Sequence, residues 1–459
     1  MAAAPTESRT PDRSDAPPEA DRSAPAPEQA GVPDRAGATS SPFDDLPRPH
    51  LALEPDGPHL ADFYTYLDLL TEPEREHLRR LRAYLASDVA PVVDEAWASD
   101  SFPDQLIQGF AGLDLAGLPY GLSGWSDEPA RRVFMGFVHA EIARIDASTN
   151  SFFGVHSGLA MGSIDACGTP EQRERWLPPM ARMETIGAFG LTEPHGGSDV
   201  AGGMETTARL VKSGEHAEGE WVLDGHKRWI GNGTFADVIV IWARDVSDGA
   251  EGKAVRGFVV PRETEGLTTA KIEGKTSLRI TQNADITLSG VRVPDENRLS
   301  GGKGTFADAG AVLRRTRGNA SWACTGVQMA SYELALSYAQ EREQFGRPIA
   351  GFQMIQDALV QMLGNTTASL GMAARNAQLI DAGGGSDAHS ALAKQFCADR
   401  MRETVALGRQ VVGGNGIIVG NGIARYFADA EALYSYEGTR EMNTLIVGKA
   451  VTGHSAFVR

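Results

Sequence analysis

Cysteine is scarce: Cys167, Cys324 and Cys397 are the only three in 459 residues, and no two form a CxxC pair. That excludes a disulfide framework and a zinc site, and it fits a reducing compartment. Cations are also in deficit. Forty-three Lys and Arg face sixty Asp and Glu, a net charge of −17, which argues against nucleic acid as a partner. No apolar run is long enough to span a membrane, and the N-terminus lacks the hydrophobic stretch of a signal peptide. It is too acidic for a mitochondrial presequence. The C-terminal Ala456-Phe457-Val458-Arg459 is not a peroxisomal address of the Ser-Lys-Leu kind. A bacterial-type cytoplasm is therefore expected, with no membrane span. No GxGxxG follows a strand-like run, so there is no dinucleotide-binding signature.

What is present is the composition of a globular enzyme, 42% hydrophobic and 22% charged. Residues 1 to about 45 are rich in Pro, Ala, Ser and Asp with almost no large apolar side chain, and are expected to be a disordered tail. Thr71-Glu72-Pro73-Glu74 then has the cap and early proline of a helix start, and apolar residues recur at helical spacing to Val93. Further helices are expected through Val133–Ile142 and Gln172–Leu177, making 46–185 a helical domain.

Near Thr185 the period changes. Ile186–Leu191, Glu220–Leu223, Val238–Trp242, Gly257–Pro261 and Asp285–Leu288 read as strands, with Asp224-Gly225 as a hairpin turn. Residues 186–300 are thus expected to be a β domain. Long helical periods return over Ser321–Arg342, Phe352–Ala382, Ala388–Val412 and from Arg440. They predict an antiparallel four-helix bundle within 301–459. The fold class is α+β, in helical, β and helical order.

One carboxylate stands out. Glu437 lies in Tyr434-Ser435-Tyr436-Glu437-Gly438-Thr439-Arg440-Glu441, between an aromatic ring and a glycine, ahead of an apolar run. With little polar company it should be partly desolvated, which raises its pKa and strengthens it as a base. Gly438 permits close approach of a ligand, and Thr439 suits the N-cap of a closing helix.

Other stretches look like ligand loops. Gly190–Val200 follows a strand and combines Gly196 and Gly197 with the hydroxyls of Thr192 and Ser198. Trp229, in Lys227–Gly233, could stack on an aromatic cofactor or be a core residue. Arg342, in Glu341–Ile349, suits a diphosphate. Gln410–Gly416 reads as a helix C-cap with tight turns. Arg314-Arg315-Thr316-Arg317 is either a solvated charge run or a set of cations facing a ligand.

Taken in order, these stretches resemble the acyl-CoA dehydrogenase family of flavoproteins, from about residue 55 to the end. Leu191-Thr192-Glu193-Pro194 with Gly197-Ser198-Asp199, then Arg342-Glu343-Gln344-Phe345-Gly346-Arg347-Pro348-Ile349, Gly413-Gly414-Asn415-Gly416 and Tyr436-Glu437-Gly438-Thr439 make a joint signature. Within the family, Arg228-Trp229-Ile230-Gly231-Asn232 and Val360-Gln361-Met362-Leu363-Gly364-Asn365 look closest to the glutaryl-CoA dehydrogenase branch and its plant short-chain acyl-CoA oxidases.

The resemblance implies FAD as cofactor. It also implies α,β-dehydrogenation of an acyl-CoA thioester, with Glu437 removing the α-proton while the β-hydrogen leaves as hydride to flavin N5. The backbone N–H of Glu437 would polarise the thioester oxygen. Phe189, Leu191, Thr192, Gly197 and Ser198 match the flavin-contacting loop, with Trp229 and Gly231 beside the ring. Arg342, Gln344 and Phe345, and Gln410 with Gly413 and Gly414, match residues that reach the FAD of a neighbouring subunit. Thr439 and Glu441 match the last cofactor contact; Ser198, Arg317, Tyr436 and Gly438 match the substrate side. A cofactor shared between subunits implies an oligomer, commonly a tetramer.

Two positions depart from the pattern. Gly231 stands where many family dehydrogenases carry a threonine bonded to flavin N5, which leaves open whether an electron-transfer flavoprotein or oxygen takes the electrons. Asn150 stands where glutaryl-specific members carry an arginine. A carboxylate against Phe152 and Phe153 would then be costly, and a short uncharged acyl chain is expected. The expected activity is that of a dehydrogenase. The alternatives are an oxidase of the same fold and a non-catalytic binding module that keeps it.

Overall fold

The computed structural model describes residues 46–57, 59–211, 219–250 and 254–457; the tail expected over 1–45 lies outside them. Helix α1 (Glu72–Tyr84) starts as its sequence predicts: the Thr71 N–H donates to Glu74 Oε2 at 2.8 Å, and Pro73 sits in the first turn. Helices α2 (Ala90–Ser99), α3 (Gln105–Leu113), α4 (Arg132–Ile145) and α5 (Ala147–Phe153) follow. A π-helical segment over Gly154–Met161, α6 (Gly162–Cys167) and α7 (Pro170–Ala181) complete the first helical part.

Strands β1 (Gly187–Gly190), β2 (Thr207–Val211), β3 (Glu220–Ile230), β4 (Val238–Asp245), β5 (Val255–Pro261), β6 (Leu267–Lys271) and β7 (Ala284–Pro294) form one seven-stranded sheet. A one-turn helix α8 (Val200–Gly203) lies between β1 and β2. The sheet order is β1-β4-β2-β3-β7-β6, with β5 on β4. β1 and β2 run parallel to β4; the other pairs are antiparallel. Six successive residues of β4, Val238 to Ala243, are buried, as a strand covered on both faces requires.

Asp224-Gly225 makes no hairpin. β3 runs through it as a bulge: the register with β7 shifts between Leu223 and Gly225, and Gly225 takes φ 144° with its α-carbon against Thr206. A Cβ there would stand 2.6 Å from the Thr206 backbone, so only glycine fits.

The C-terminal part comprises α9 (Phe306–Glu341), a small β8–β9 ribbon (Glu343–Gln344 with Arg347–Pro348), α10 (Gln353–Asp381), α11 (Asp387–Val412), α12 (Ile423–Ser435) and α13 (Arg440–Thr452). α9 begins fifteen residues before the expected Ser321, because Thr305 caps it with its side chain on the Ala307 N–H. α12 was not foreseen; its glycine-rich approach masks the helical period. α9 also packs on α4, closely enough that a Cβ on Gly326 would meet the Ala140 carbonyl at 2.2 Å.

Candidate active site

Glu437 sits on the turn between α12 and α13 at φ 54°, followed by Gly438 at φ 77°. A non-glycine residue in the left-handed region costs on the order of 1–3 kcal/mol, so its surroundings must hold it there. Lys394, fully buried on α11, donates from Nζ to the Tyr434 carbonyl at 2.8 Å and to the Gly438 carbonyl at 3.1 Å. Asn443 Nδ2 donates to the carbonyls of Gly438 (2.9 Å) and Thr439 (3.0 Å). Thr439 Oγ1 accepts the Met442 N–H at 3.1 Å, the N-cap foreseen for the closing helix. The turn is clamped at both ends around its carboxylate.

The carboxylate has more polar company than its sequence neighbours suggest. Thr316 Oγ1, on α9, donates to Glu437 Oε2 at 2.7 Å. Burial pushes the Glu437 pKa above the ordinary carboxylate range, while the Thr316 bond and the charges of Arg317 and Lys394 offset part of the rise. The net direction is upward. Burial likewise pushes the neighbouring Tyr436 phenol up. Arg317 is committed to an ion pair with Asp387, and Arg315 to one with Asp165 at 2.6 Å, so the basic run is neither wholly solvated nor wholly free.

A second cluster lies on the sheet. Trp229 is 52% exposed at φ 65°, which corrects its reading as a core residue. Arg228 places Cζ 5.0 Å from the Trp229 ring centre, and its N–H donates to the Thr192 carbonyl at 2.8 Å, joining the two loops. Beneath them, buried Lys227 donates to Glu193 Oε1 at 2.7 Å and to the Leu191 carbonyl at 3.1 Å. Glu193 also accepts the N–H groups of Glu205 and Thr206. Burial opposes its ionisation, yet Lys227 and these donors hold its pKa below the usual value. Phe189 and Leu191 are buried; Gly197 and Ser198 are exposed, and nothing lies within 4 Å of where a Gly197 Cβ would be. An exposed indole beside hydroxyls and an open glycine loop fits a flat aromatic cofactor with a phosphate tail.

The π-helical segment links the two clusters. A Cβ on Gly231 would stand 2.9 Å from Val155 Cγ2, and one on Gly158 would stand 3.3 Å from Thr316 Cγ2. Asn150, buried, holds Oδ1 2.8 Å from His139 Nδ1.

A third group stands elsewhere. Gln344 and Phe345 lie on the β8–β9 ribbon, Arg342 just before it, and Phe345 is 94% exposed. Gln410 lies in the last turn of α11, with Gly413 and Gly414 in the turn beyond. Among the described residues, no hydrogen bond, ion pair or ring contact joins this group to Phe189–Gly231. Glu441, at the start of α13, accepts the Tyr434 hydroxyl at 3.0 Å.

Sequence reasoning missed Thr316 as the carboxylate's partner, Lys394 as the clamp and His139 as the partner of Asn150. Lys394 did leave a signal. It falls with Ser390, Cys397, Met401 and Thr404 on one helical stripe, where a lysine among small and apolar residues is out of place.

A half-buried carboxylate held between helices, with an exposed tryptophan on an adjoining sheet, fits a flavin-dependent oxidoreductase of three-part α–β–α build. Comparison with known proteins makes this specific. Acyl-CoA dehydrogenase N-terminal, middle and C-terminal domain profiles match residues 71–184, 188–291 and 302–452. An acyl-CoA dehydrogenase of Bacillus subtilis (strain 168) is 32% identical over 380 residues, 82% of this chain and 97% of its own. The short-chain specific mitochondrial acyl-CoA dehydrogenase of Mus musculus is 31% identical, covering 82% of this chain and 89% of its own. A crystal structure of a glutaryl-CoA dehydrogenase from Mycobacterium smegmatis in complex with FADH2 superimposes with a TM-score of 0.79. It is 31% identical and covers 86% of this chain and 98% of its own. The chain belongs to the acyl-CoA dehydrogenase family, an FAD-dependent oxidoreductase class. Among the described residues no helix is long and apolar enough to cross a membrane.

Proposed function

We propose that the protein catalyses α,β-dehydrogenation of a short-chain acyl-CoA thioester to the trans-2-enoyl thioester, with Glu437 as the base. The observation that carries this is the half-buried Glu437 carboxylate, fixed by the Thr316 hydroxyl on a turn clamped by Lys394, with its pKa pushed up. An α-proton of a thioester is weakly acidic, so its base must be desolvated, fixed and basic at working pH. Thr316 holds the carboxylate in one orientation by its 2.7 Å bond, and Lys394 holds the turn. The Glu437 N–H and Tyr436 lie on the same turn for the thioester oxygen and acyl group, with Gly438 opening the approach and Arg317 on the facing helix.

FAD, when bound, supplies the hydride acceptor at N5. Thr192, Ser198, Gly197 and Trp229, over Phe189 and Leu191, are the residues that would hold its ring and first phosphate. Arg342, Gln344, Phe345, Gln410, Gly413 and Gly414 would serve the cofactor of a neighbouring subunit in a homotetramer, with Thr439 and Glu441 as further contacts. The exposure of Phe345 and the separation of that group from Trp229 within the chain support this. The three-part division at 185/186 and 300/301 and a cytoplasmic setting belong to the same reading. So does an electron-transfer flavoprotein as acceptor. Oxygen as acceptor is favoured by one feature: Gly231 offers no hydroxyl, and Val155 fills the space.

The test is the visible flavin spectrum of the purified protein, under anaerobic conditions, as butyryl-CoA is added. Bleaching supports the reading, and admitting air then measures the oxygen route. A flavin that no acyl-CoA bleaches contradicts it.

A further inference from the structure

A cleft opens between α4, the π-helical segment and the first turns of α9, lined by Arg132, Met135, His139, Ser157, Thr316 and Asn319. Arg132, Met135 and His139 recur at i, i+3 and i+7, so they share one face of α4. Thr316 ties this cleft to the base, because its hydroxyl bonds Glu437. The cleft therefore adjoins the base, within reach of an acyl chain whose α-carbon lies at Glu437.

The polar groups of the cleft are mostly committed. The Ser157 hydroxyl donates to the Ala116 carbonyl at 2.9 Å, and the Tyr120 hydroxyl to the Ser157 carbonyl. Arg315, also on the rim, is paired with Asp165. His139 Nδ1 carries its proton toward Asn150 Oδ1. Burial, with the Arg132 charge adding to it against the Asn150 bond, pulls the His139 pKa down to about 4, so the ring is neutral and Nε2 is a bare acceptor. Among the described residues three groups have no side-chain partner. They are the Arg132 guanidinium, whose backbone N–H alone meets Asp381, then His139 Nε2 and the Asn319 amide. The cleft therefore offers donors from Arg132, a lone pair from His139, and both kinds from Asn319.

We propose that this cleft recognises a hydroxyl group on the acyl chain, accepting from Arg132 and donating to His139 Nε2, so that the preferred substrates are hydroxylated short-chain acyl-CoA thioesters. A hydroxyl is donor and acceptor at once and satisfies both walls. A methyl group would leave the buried His139 Nε2 unpaired. A carboxylate would satisfy Arg132 but set its lone pairs against the bare nitrogen of His139. Asn150 is a positioning residue, fixing the tautomer that leaves Nε2 free. The inference rests on the dehydrogenase reading and deepens it.

The experiment compares anaerobic flavin reduction by butyryl- and 4-hydroxybutyryl-CoA, by pentanoyl- and 5-hydroxypentanoyl-CoA, and by glutaryl-CoA. The holoenzyme should favour the hydroxylated member in kcat/KM by about tenfold at one chain length at least, and should disfavour glutaryl-CoA. Arg132→Met, at a half-exposed position whose side chain makes no structural bond, should lower the hydroxylated-to-plain ratio about tenfold, and His139→Phe should do the same with the ring volume kept. A preference for the plain chain at both lengths, or for glutaryl-CoA, overturns the proposal, as does a ratio that neither variant moves. If none of the five thioesters bleaches the flavin, the dehydrogenase reading fails instead.

Discussion

The Thr316 hydroxyl and the Glu437 carboxylate meet at 2.7 Å across 121 residues of chain, joining the start of α9 to the turn before α13. That bond lowers the pKa of a carboxylate that burial raises. The base acts ionised, so activity falls as pH drops through its raised pKa. Thr316→Val removes the donor and keeps the shape. The acid limb of the rate of flavin reduction should move to higher pH; stopped-flow measurements across pH 5–9, a span of about four units around the working range, would show it.

Lys394→Met should slow the same step without releasing flavin. The substitution leaves the Tyr434 carbonyl without its donor, at about 1–3 kcal/mol, leaves the Gly438 carbonyl to Asn443 alone, and frees a turn held in the left-handed region. It also removes a cation whose charge favours ionised Glu437, so its acid limb should shift upward too. Flavin content and the pH profile, read together, separate this from unfolding.

The Lys227–Glu193 pair is buried on both sides, with side chains 0% and 1% exposed. Lys227→Met alone should destabilise the fold by about 3–5 kcal/mol, because Glu193 is left charged in the interior. Pairing it with Glu193→Gln should recover part of that loss. Denaturant unfolding of the single and double variants checks the sign of the coupling.

Gly231→Thr, which restores the hydroxyl common in the family's dehydrogenases, should be poorly tolerated alone. Its Cβ would stand 2.9 Å from Val155 Cγ2, an overpacking worth about 1–3 kcal/mol. With Val155→Ala added, the melting temperature should recover, and reoxidation of the reduced flavin by air reports whether this position governs oxygen use.

Most of the fold was legible in the chain. The cap at Thr71, the strand period after Thr185 and the long helices all write their geometry locally, and the joint motifs identify the family. What was not legible depends on contacts between distant segments. Asp224-Gly225 has the composition of a hairpin turn, but Thr206 from β2 presses on it and makes it a bulge. Trp229 could have been core or surface; its positive φ, with the Arg228 N–H tied to the Thr192 carbonyl on one side and the Asn283 amide donating to its own carbonyl, turns it outward. Glu437 was found from its neighbours, whereas Thr316 and Lys394 come from other helices and carry no local sign of it. The same holds for Asn150. Its sequence marks a missing arginine, and only the folded chain shows His139 as the partner it has instead.

The central claim is that Glu437 removes the proton. Glu437→Gln keeps the size of the side chain and its hydrogen bond from Thr316 while abolishing the base. Anaerobic mixing of this variant with an acyl-CoA that bleaches the wild type should give a retained flavin spectrum and a reduction rate lower by about 10²–10⁴-fold. Reduction at the wild-type rate would contradict the assignment and move the search for the base to another residue.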